Sequence, residues 1–163
     1  MLSEPLQNAF NDQIQKEFFS SYLYLAMAAH FEAANLPGFA AWMKAQADEE
    51  RSHGMKLWDY VYDRGGNVVL QAIAQPPQAY GRPLEAFNQV LAHEQKVTAS
   101  INALYALAAK ENDVAATIFL QWFVGEQVEE EKTVTDLIEQ LKMSGDQAFG
   151  VLFMDKHVLG ARK

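Results

Sequence analysis

The stretch Asp48-Glu49-Glu50-Arg51-Ser52-His53 contains a Glu-x-x-His pair, and this pair belongs to a pattern that occurs twice along the chain. Each copy starts with a glutamate, continues 33 residues later with a glutamate or a glutamine, and ends three residues after that. The second copy lies 77 residues after the first. The two copies are Glu17, Glu50 and His53, and then Glu94, Gln127 and Glu130.

Glycine and proline are sparse, and they divide the chain into four long helical segments and a short one. The predicted helices cover residues 3–34, 38–64, 84–110 and 114–143, with a fifth at about 146–160. A helix of about 27 residues is roughly 40 Å long, and the connection 67–83 can span that length, so helices two and three can lie parallel. The pattern therefore predicts one all-α domain over residues 1–163, in which two hairpins joined by a long crossover form a four-helix bundle at about 3–143.

Buried positions in a bundle are spaced alternately three and four residues apart, and on each predicted helix this seam is apolar at its ends and polar near its middle. The six residues of the repeated pattern lie in these polar central parts of the seams. A buried carboxylate costs several kcal/mol unless it is paired or binds a metal. Iron accepts carboxylate and imidazole ligands, and Glu50 and His53 share a helix face. The seams therefore predict a pair of metal ions, with Glu50 and Glu130 placed to bridge them; a different metal pair such as dimanganese, or solvated surface charges, are the alternatives.

Apolar residues outside the seams predict further contacts. The connection carries Val68, Val69, Leu70 and Ile73, which predicts that it packs on another surface. The fifth helix carries an apolar stripe that is too small to form its own core, so we expect it to bury against partner subunits. This stripe comprises Phe149, Leu152, Phe153 and Leu159. Trp122, next to the fourth seam, is predicted to be a core residue.

Composition excludes several classes of protein. Half of the 163 residues are hydrophobic and the net charge is −8, with no basic patch, which argues against nucleic acid as a partner. The sequence has no run of about 18 consecutive apolar residues, which argues against a membrane span. The first five residues lack the features of a secretory signal. Cysteine is absent, which excludes disulfides, thiolate metal sites and iron–sulfur clusters and fits an expected cytoplasmic location.

Three segments together resemble the ferritins, specifically their prokaryotic haem-free branch. They are Glu17-Phe18-Phe19-Ser20-Ser21-Tyr22-Leu23-Tyr24, Asp48-Glu49-Glu50-Arg51-Ser52-His53 and Trp122-Phe123-Val124-Gly125-Glu126-Gln127-Val128-Glu129-Glu130-Glu131. The resemblance covers essentially all 163 residues and implies a ferritin-like bundle with a short fifth helix.

The resemblance also implies roles for individual residues. A first iron site is implied at Glu17, Glu50 and His53, and a second at Glu50, Glu94 and Glu130 with Gln127 close by. A third, weaker iron site is implied at Glu49, Glu126, Glu129 and Glu130; the alternative there is an acidic edge that faces solvent. Tyr24 resembles the tyrosine that can supply an electron beside the centre, and the alternative is a core tyrosine whose hydroxyl only bonds a ligand.

Two departures distinguish this chain from the haem-binding bacterioferritins. Those proteins have a second Glu-x-x-His on helix four, whereas this chain has Gln127-Val128-Glu129-Glu130. They also have a haem-ligating methionine after the helix-two glutamate, and that position is Arg51 here. Haem is therefore not expected, and the two iron sites should be less symmetric.

The function that the resemblance implies is that of a cytoplasmic ferritin subunit in a shell of twenty-four copies. Fe²⁺ would be oxidised at the di-iron centre by O₂ or H₂O₂, and ferric mineral would be stored in the cavity. One alternative is a rubrerythrin-like peroxidase, but such proteins usually carry a cysteine-ligated domain. The other is a shell that only buffers iron, but inactive ferritin subunits typically lack these glutamates.

Overall fold

The computed structural model describes residues 1–145 and 147–158. It confirms an all-α fold, and the described residues contain no β-strand. The helices are α1 (Glu4–Ala33), α2 (Pro37–Asp63), α3 (Pro83–Lys110), α4 (Val114–Ser144) and α5 (Ala148–His157). Helices α1 and α2 form one hairpin, α3 and α4 form the other, and a long crossover joins the two. None of the described helices is long and apolar enough to cross a membrane.

The helix ends follow local chemistry. The Ser3 hydroxyl accepts a hydrogen bond from the Leu6 amide at 3.3 Å at the start of α1, and an Asp113 carboxylate oxygen accepts from the Ala116 amide at 3.0 Å at the start of α4. Helices α2 and α3 each begin one residue earlier than predicted, at a proline. Proline fits the first helical turn because the N–H that it lacks would have no partner within the helix.

The crossover follows α1 and is held there mainly by hydrogen bonds. The Asn11 side-chain amide donates to the Asn67 carbonyl at 3.1 Å, and its oxygen accepts from the Val69 amide at 2.9 Å. Of the four apolar residues that were expected to pack, Val68 contacts the core. The other three side chains remain 41–62% exposed within this chain, namely Val69, Leu70 and Ile73. Within this chain Val68 and the hydrogen bonds to α1 fix the segment, and burial of the other three side chains against another surface stays a prediction.

Two apolar clusters fill the two ends of the bundle. One contains Phe31, Phe39 and Trp42, and the other contains Phe10 and Leu120. Between them lies the layer of buried polar side chains that the seams predicted. The layer is therefore enclosed by apolar packing on both sides, which removes it from water.

Helix α5 caps the start of α2. No side chain caps α2 from its own sequence, and an Asp155 carboxylate oxygen instead accepts from the Phe39 amide at 2.9 Å. Gly38 permits this approach, because a Cβ there would lie 1.6 Å from the Asp155 carbonyl oxygen. The stripe residues Phe149 and Leu152, like Phe153, remain exposed within the chain, so their burial against partner subunits stays a prediction. Leu159 and the predicted end of the helix at 159–160 lie outside the described residues.

Candidate metal centre

The structure brings the doubled pattern into one buried layer at the middle of the bundle. Each side chain comes from a helix seam, and each is at most 7% exposed. These side chains are Glu17 on α1, Glu50 and His53 on α2, Glu94 on α3, and Gln127 and Glu130 on α4. Four carboxylates share this layer with one imidazole, and no buried lysine or arginine among the described residues neutralises them, so the donor set suits a cation.

Glu17, Glu50 and His53 offer ligand atoms that all lie within 4.8 Å of one another. The His53 Nδ1 lies 3.5 Å from Glu50 Oε2. Two carboxylate oxygens in this group, Glu17 Oε2 and Glu50 Oε2, are buried and accept no hydrogen bond from the part of the chain that the structure describes. Buried polar atoms are nearly always partnered, and a cation between the carboxylates would supply what these two oxygens lack.

Glu94 is held from two sides. The Tyr24 hydroxyl donates to Glu94 Oε1, and the Gln127 amide donates to Glu94 Oε2 at 3.1 Å. The same amide lies 3.3 Å from the Thr98 hydroxyl, which in turn donates to Glu131 Oε1 at 2.5 Å. The structure thus places both Tyr24 and Gln127 against the Glu94 carboxylate on α3.

Two further glutamines complete the layer. Gln13 lies four residues before Glu17 and donates to its Oε1 at 2.7 Å, and Gln46 lies four residues before Glu50 and donates to its Oε1 at 3.0 Å. Gln46 also donates to Glu130 Oε2 at 2.9 Å. Neither glutamine was predicted as part of the site, although the repeated Gln-x-x-x-Glu spacing was a signal that could have identified both.

Burial changes the acidity of these groups. Burial, followed by the charges of Glu50 and Glu94, raises the pKa of Glu130 to about 9, and burial with the Glu50 charge raises the pKa of Glu94 to about 7. Burial and Glu50 also raise the pKa of Glu17. Burial opposes ionisation of Glu50 as well, but the nearby His53 imidazole and the hydrogen bond from Gln46 lower its pKa overall. The metal-free centre therefore keeps protons that a cation would have to displace.

A second acidic cluster lies beside the first. Ligand atoms of Glu49, His53 and Glu126 all lie within 4.8 Å of one another, and Glu49 and Glu126 are partly buried. Glu129 is exposed and lies outside this group, and Glu130 belongs to the buried layer. Burial alone would lower the pKa of His53, but Glu50, Glu126 and Glu49 together raise it.

The expectation for Trp122 is wrong. The side chain is 41% exposed, and Lys56 Nζ lies 3.4 Å from the centre of its ring. The indole packs edge-on against His53, with ring centres 5.4 Å apart. A lysine from α2 therefore covers the face that a core position would have buried.

Comparison with known proteins identifies the family of this chain. The profile described as a ferritin-like domain matches residues 7–144. The chain belongs to the ferritin family. A bacterial non-heme ferritin from Bacteroides fragilis (strain 638R) is 44% identical over 162 residues, which cover 99% of this chain and 100% of that one. The protein of the same description from Staphylococcus haemolyticus (strain JCSC1435) is 41% identical over 162 residues, covering 99% and 97%.

Solved ferritin structures superimpose closely on this chain. One is an open pore ferritin from the hyperthermophilic archaeon Archaeoglobus fulgidus, with a TM-score of 0.96 and 44% identity over 100% of both chains. Another is a closed form of the same ferritin engineered by site-directed mutagenesis, with a TM-score of 0.96 and 45% identity over 100% of this chain and 99% of that one. The prediction of a prokaryotic non-haem ferritin with a ferritin-like bundle is confirmed.

Proposed function

We propose that this ferritin oxidises Fe²⁺ at the buried centre, with O₂ or H₂O₂ as the oxidant, and deposits ferric mineral inside a hollow oligomeric shell. The observation that carries the proposal is a buried layer of four carboxylates beside His53, in which Glu17 Oε2 and Glu50 Oε2 accept no hydrogen bond from the described residues. In this proposal iron is the substrate and cargo. Glu17, Glu50 and His53 hold one ion, and Glu50, Glu94 and Glu130 hold the second, with Gln127 beside it.

The chemistry asks two things of these residues. Two Fe²⁺ ions together supply the two electrons that reduce O₂ to H₂O₂ or H₂O₂ to water, so the centre must hold both ions close to one oxidant. Hard carboxylate ligands then stabilise the more highly charged ferric product. The protons that Glu94 and Glu130 release when metal binds are available to the reduced oxidant.

The peripheral residues have proposed roles as well. The distances among Glu49, His53 and Glu126 support a third iron site, in which Glu129 and Glu130 would complete the ligand set. Tyr24 is placed to supply an electron to the centre through Glu94, or to hold that ligand by its hydrogen bond. Burial and the Glu94 charge raise the pKa of Tyr24, so its phenol stays protonated and donates.

Exposed apolar surface supports the proposal of a shell. Phe149, Leu152 and Phe153 on α5 are 51–82% exposed, and Leu70 on the crossover is 62% exposed. Apolar surfaces of this kind mark contacts between proteins. We propose that they are covered by other copies of the chain in a cytoplasmic assembly of twenty-four subunits.

Stopped-flow absorbance after mixing metal-free protein with Fe²⁺ and O₂ tests the proposal. Glu50→Ala is expected to slow the early formation of ferric iron by at least about 10-fold, since Glu50 can contact both ions. Glu49→Ala is the matched control on the neighbouring residue, and it should slow the reaction less because Glu49 reaches only the peripheral cluster. Equal rates for the two variants would show that the oxidation does not occur at the buried centre.

A further inference from the structure

Gln46 is buried in the carboxylate layer at 2% exposure and contacts ligand carboxylates from two different helices. Its Nε2 donates to Glu50 Oε1 at 3.0 Å within α2 and to Glu130 Oε2 at 2.9 Å on α4. A glutamine amide has two N–H donors, so both hydrogen bonds form at the same time. The separation of the two carboxylates is therefore set by one side-chain nitrogen.

Gln13 provides an internal comparison. It occupies the equivalent position four residues before a ligand, but its Nε2 donates to Glu17 alone, at 2.7 Å. Its oxygen accepts from the Ser100 hydroxyl at 2.7 Å, which fixes the direction of the amide. Gln13 thus orients one carboxylate, whereas Gln46 connects two.

Both glutamines leave the carboxylates ready for a cation. Each amide occupies one oxygen of its glutamate, and the other oxygen, Glu17 Oε2 or Glu50 Oε2, accepts no hydrogen bond from the described residues. The amide is neutral, so it partly satisfies a buried carboxylate without adding a positive charge that would repel an incoming metal ion. A lysine or arginine in the same place would pair with the carboxylates and compete with the ion.

We propose that Gln46 is a positioning residue that holds Glu50 and Glu130 at the separation from which both can share two metal ions. The inference rests on the proposed function, since it assigns Gln46 a part in the same centre. Loss of a residue that orients metal ligands typically weakens metal binding by about 10- to 100-fold. Because Gln46 contacts both shared carboxylates, its removal should weaken the binding of both ions. Removal of Gln13 should weaken mainly the binding of the ion held by Glu17.

Titration of the metal-free protein with Co²⁺, followed by calorimetry and by visible absorption, tests this without any oxidation step. Gln46→Met keeps the length of the side chain and removes both donors, and Gln13→Met is the matched control. We expect Gln46→Met to weaken both of the two tightest Co²⁺ equivalents by about 10- to 100-fold and to change the absorption bands of both. Gln13→Met should weaken and alter only one. A glutamine that only stabilised the fold would leave the affinities and the absorption bands of the two bound Co²⁺ ions unchanged when replaced.

The possible results separate this inference from the proposed function. If the parent binds two Co²⁺ ions per subunit and Gln46→Met binds them with the same affinities and spectra, Gln46 has no positioning role and the proposed function stands. If the parent binds none at the centre, both proposals fail. Should Gln46→Met not fold, a crystal structure of the parent with Co²⁺ decides: Gln46 Nε2 is expected to remain hydrogen-bonded to both Glu50 and Glu130, and an amide that contacts only one of them or neither overturns the inference.

Discussion

The raised pKa values of Glu130 and Glu94 predict that the metal-free protein loses stability as the pH rises. In the folded protein the pKa of Glu130 is about 9 and that of Glu94 about 7, whereas in the unfolded chain both return to about 4.5. Between these limits the folded state binds more protons than the unfolded state. The stability that these protons provide is complete below about pH 4.5 and is lost as the pH rises through the folded pKa values.

The magnitude follows from the size of the shifts, since one pKa unit corresponds to about 1.4 kcal/mol. Between pH 6 and pH 9, proton linkage gives a loss of about 4 kcal/mol from Glu130 and about 1 kcal/mol from Glu94 per subunit. Glu130→Gln preserves the size of the side chain and its hydrogen bond from Gln46, because the new amide oxygen can accept. It removes the ionisable group, so the variant should lose about 4 kcal/mol less than the parent over this range, while Glu94, Glu17 and His53 still titrate.

Chemical denaturation of chelator-treated protein at pH 6 and pH 9 measures the difference. The free energy of unfolding is expected to fall with this rise in pH in both proteins, and to fall by about 4 kcal/mol less in Glu130→Gln than in the parent. Glu139→Gln is the control, because Glu139 is an exposed carboxylate on the same helix, paired with Lys142 at 2.7 Å. It should follow the parent. Parallel pH dependence in the parent and Glu130→Gln would refute the claim that Glu130 is a buried, protonated ligand.

Three further variants test other parts of the account. Leu152→Arg with Phe153→Arg places like charges in the proposed contact between subunits, so light scattering after size exclusion should show smaller assemblies that still oxidise Fe²⁺; intact shells would show that α5 does not hold them together. Asp155→Ala removes the acceptor at the start of α2 and should lower the free energy of unfolding by about 1 kcal/mol, and no change would mean that this cap is dispensable. Tyr24→Phe removes a hydrogen bond to Glu94 and should slow Fe²⁺ oxidation by about 10-fold with unchanged Co²⁺ stoichiometry; weaker Co²⁺ binding would instead assign Tyr24 a role in metal affinity.

The sequence was sufficient to predict which polar side chains are buried together in the bundle, because their signal is local. A glutamate such as Glu17 or Glu94 in the middle of an apolar seam is costly unless something compensates for its burial, and four seams showed the same anomaly. The buried position of each ligand then follows from helical periodicity alone. The bundle was predictable for the same reason, since turn residues and loop lengths determine which helices are antiparallel neighbours.

The side chains that the sequence did not predict correctly are those whose surroundings depend on how two helices pack against each other. Gln13 precedes the core residue Ile14 and is itself buried, and its side-chain oxygen accepts a hydrogen bond from Ser100 on the neighbouring helix α3. Trp122 was expected in the core, but whether Lys56 from α2 covers its ring cannot be read from the periodicity of α4. Both depend on the rotation of one helix against another, which local pattern does not determine.

Iron loading of the intact assembly distinguishes storage in a closed shell from simple binding at the buried centre. Fe²⁺ is added in air to the metal-free protein in repeated small portions, and iron per protein is measured together with particle size and the amount of soluble iron. We expect each assembly to take up far more iron than its ligands can bind. This iron should stay soluble within particles of constant outer diameter. Uptake that stops at two or three ions per subunit, with further iron precipitating outside the protein, would contradict this expectation.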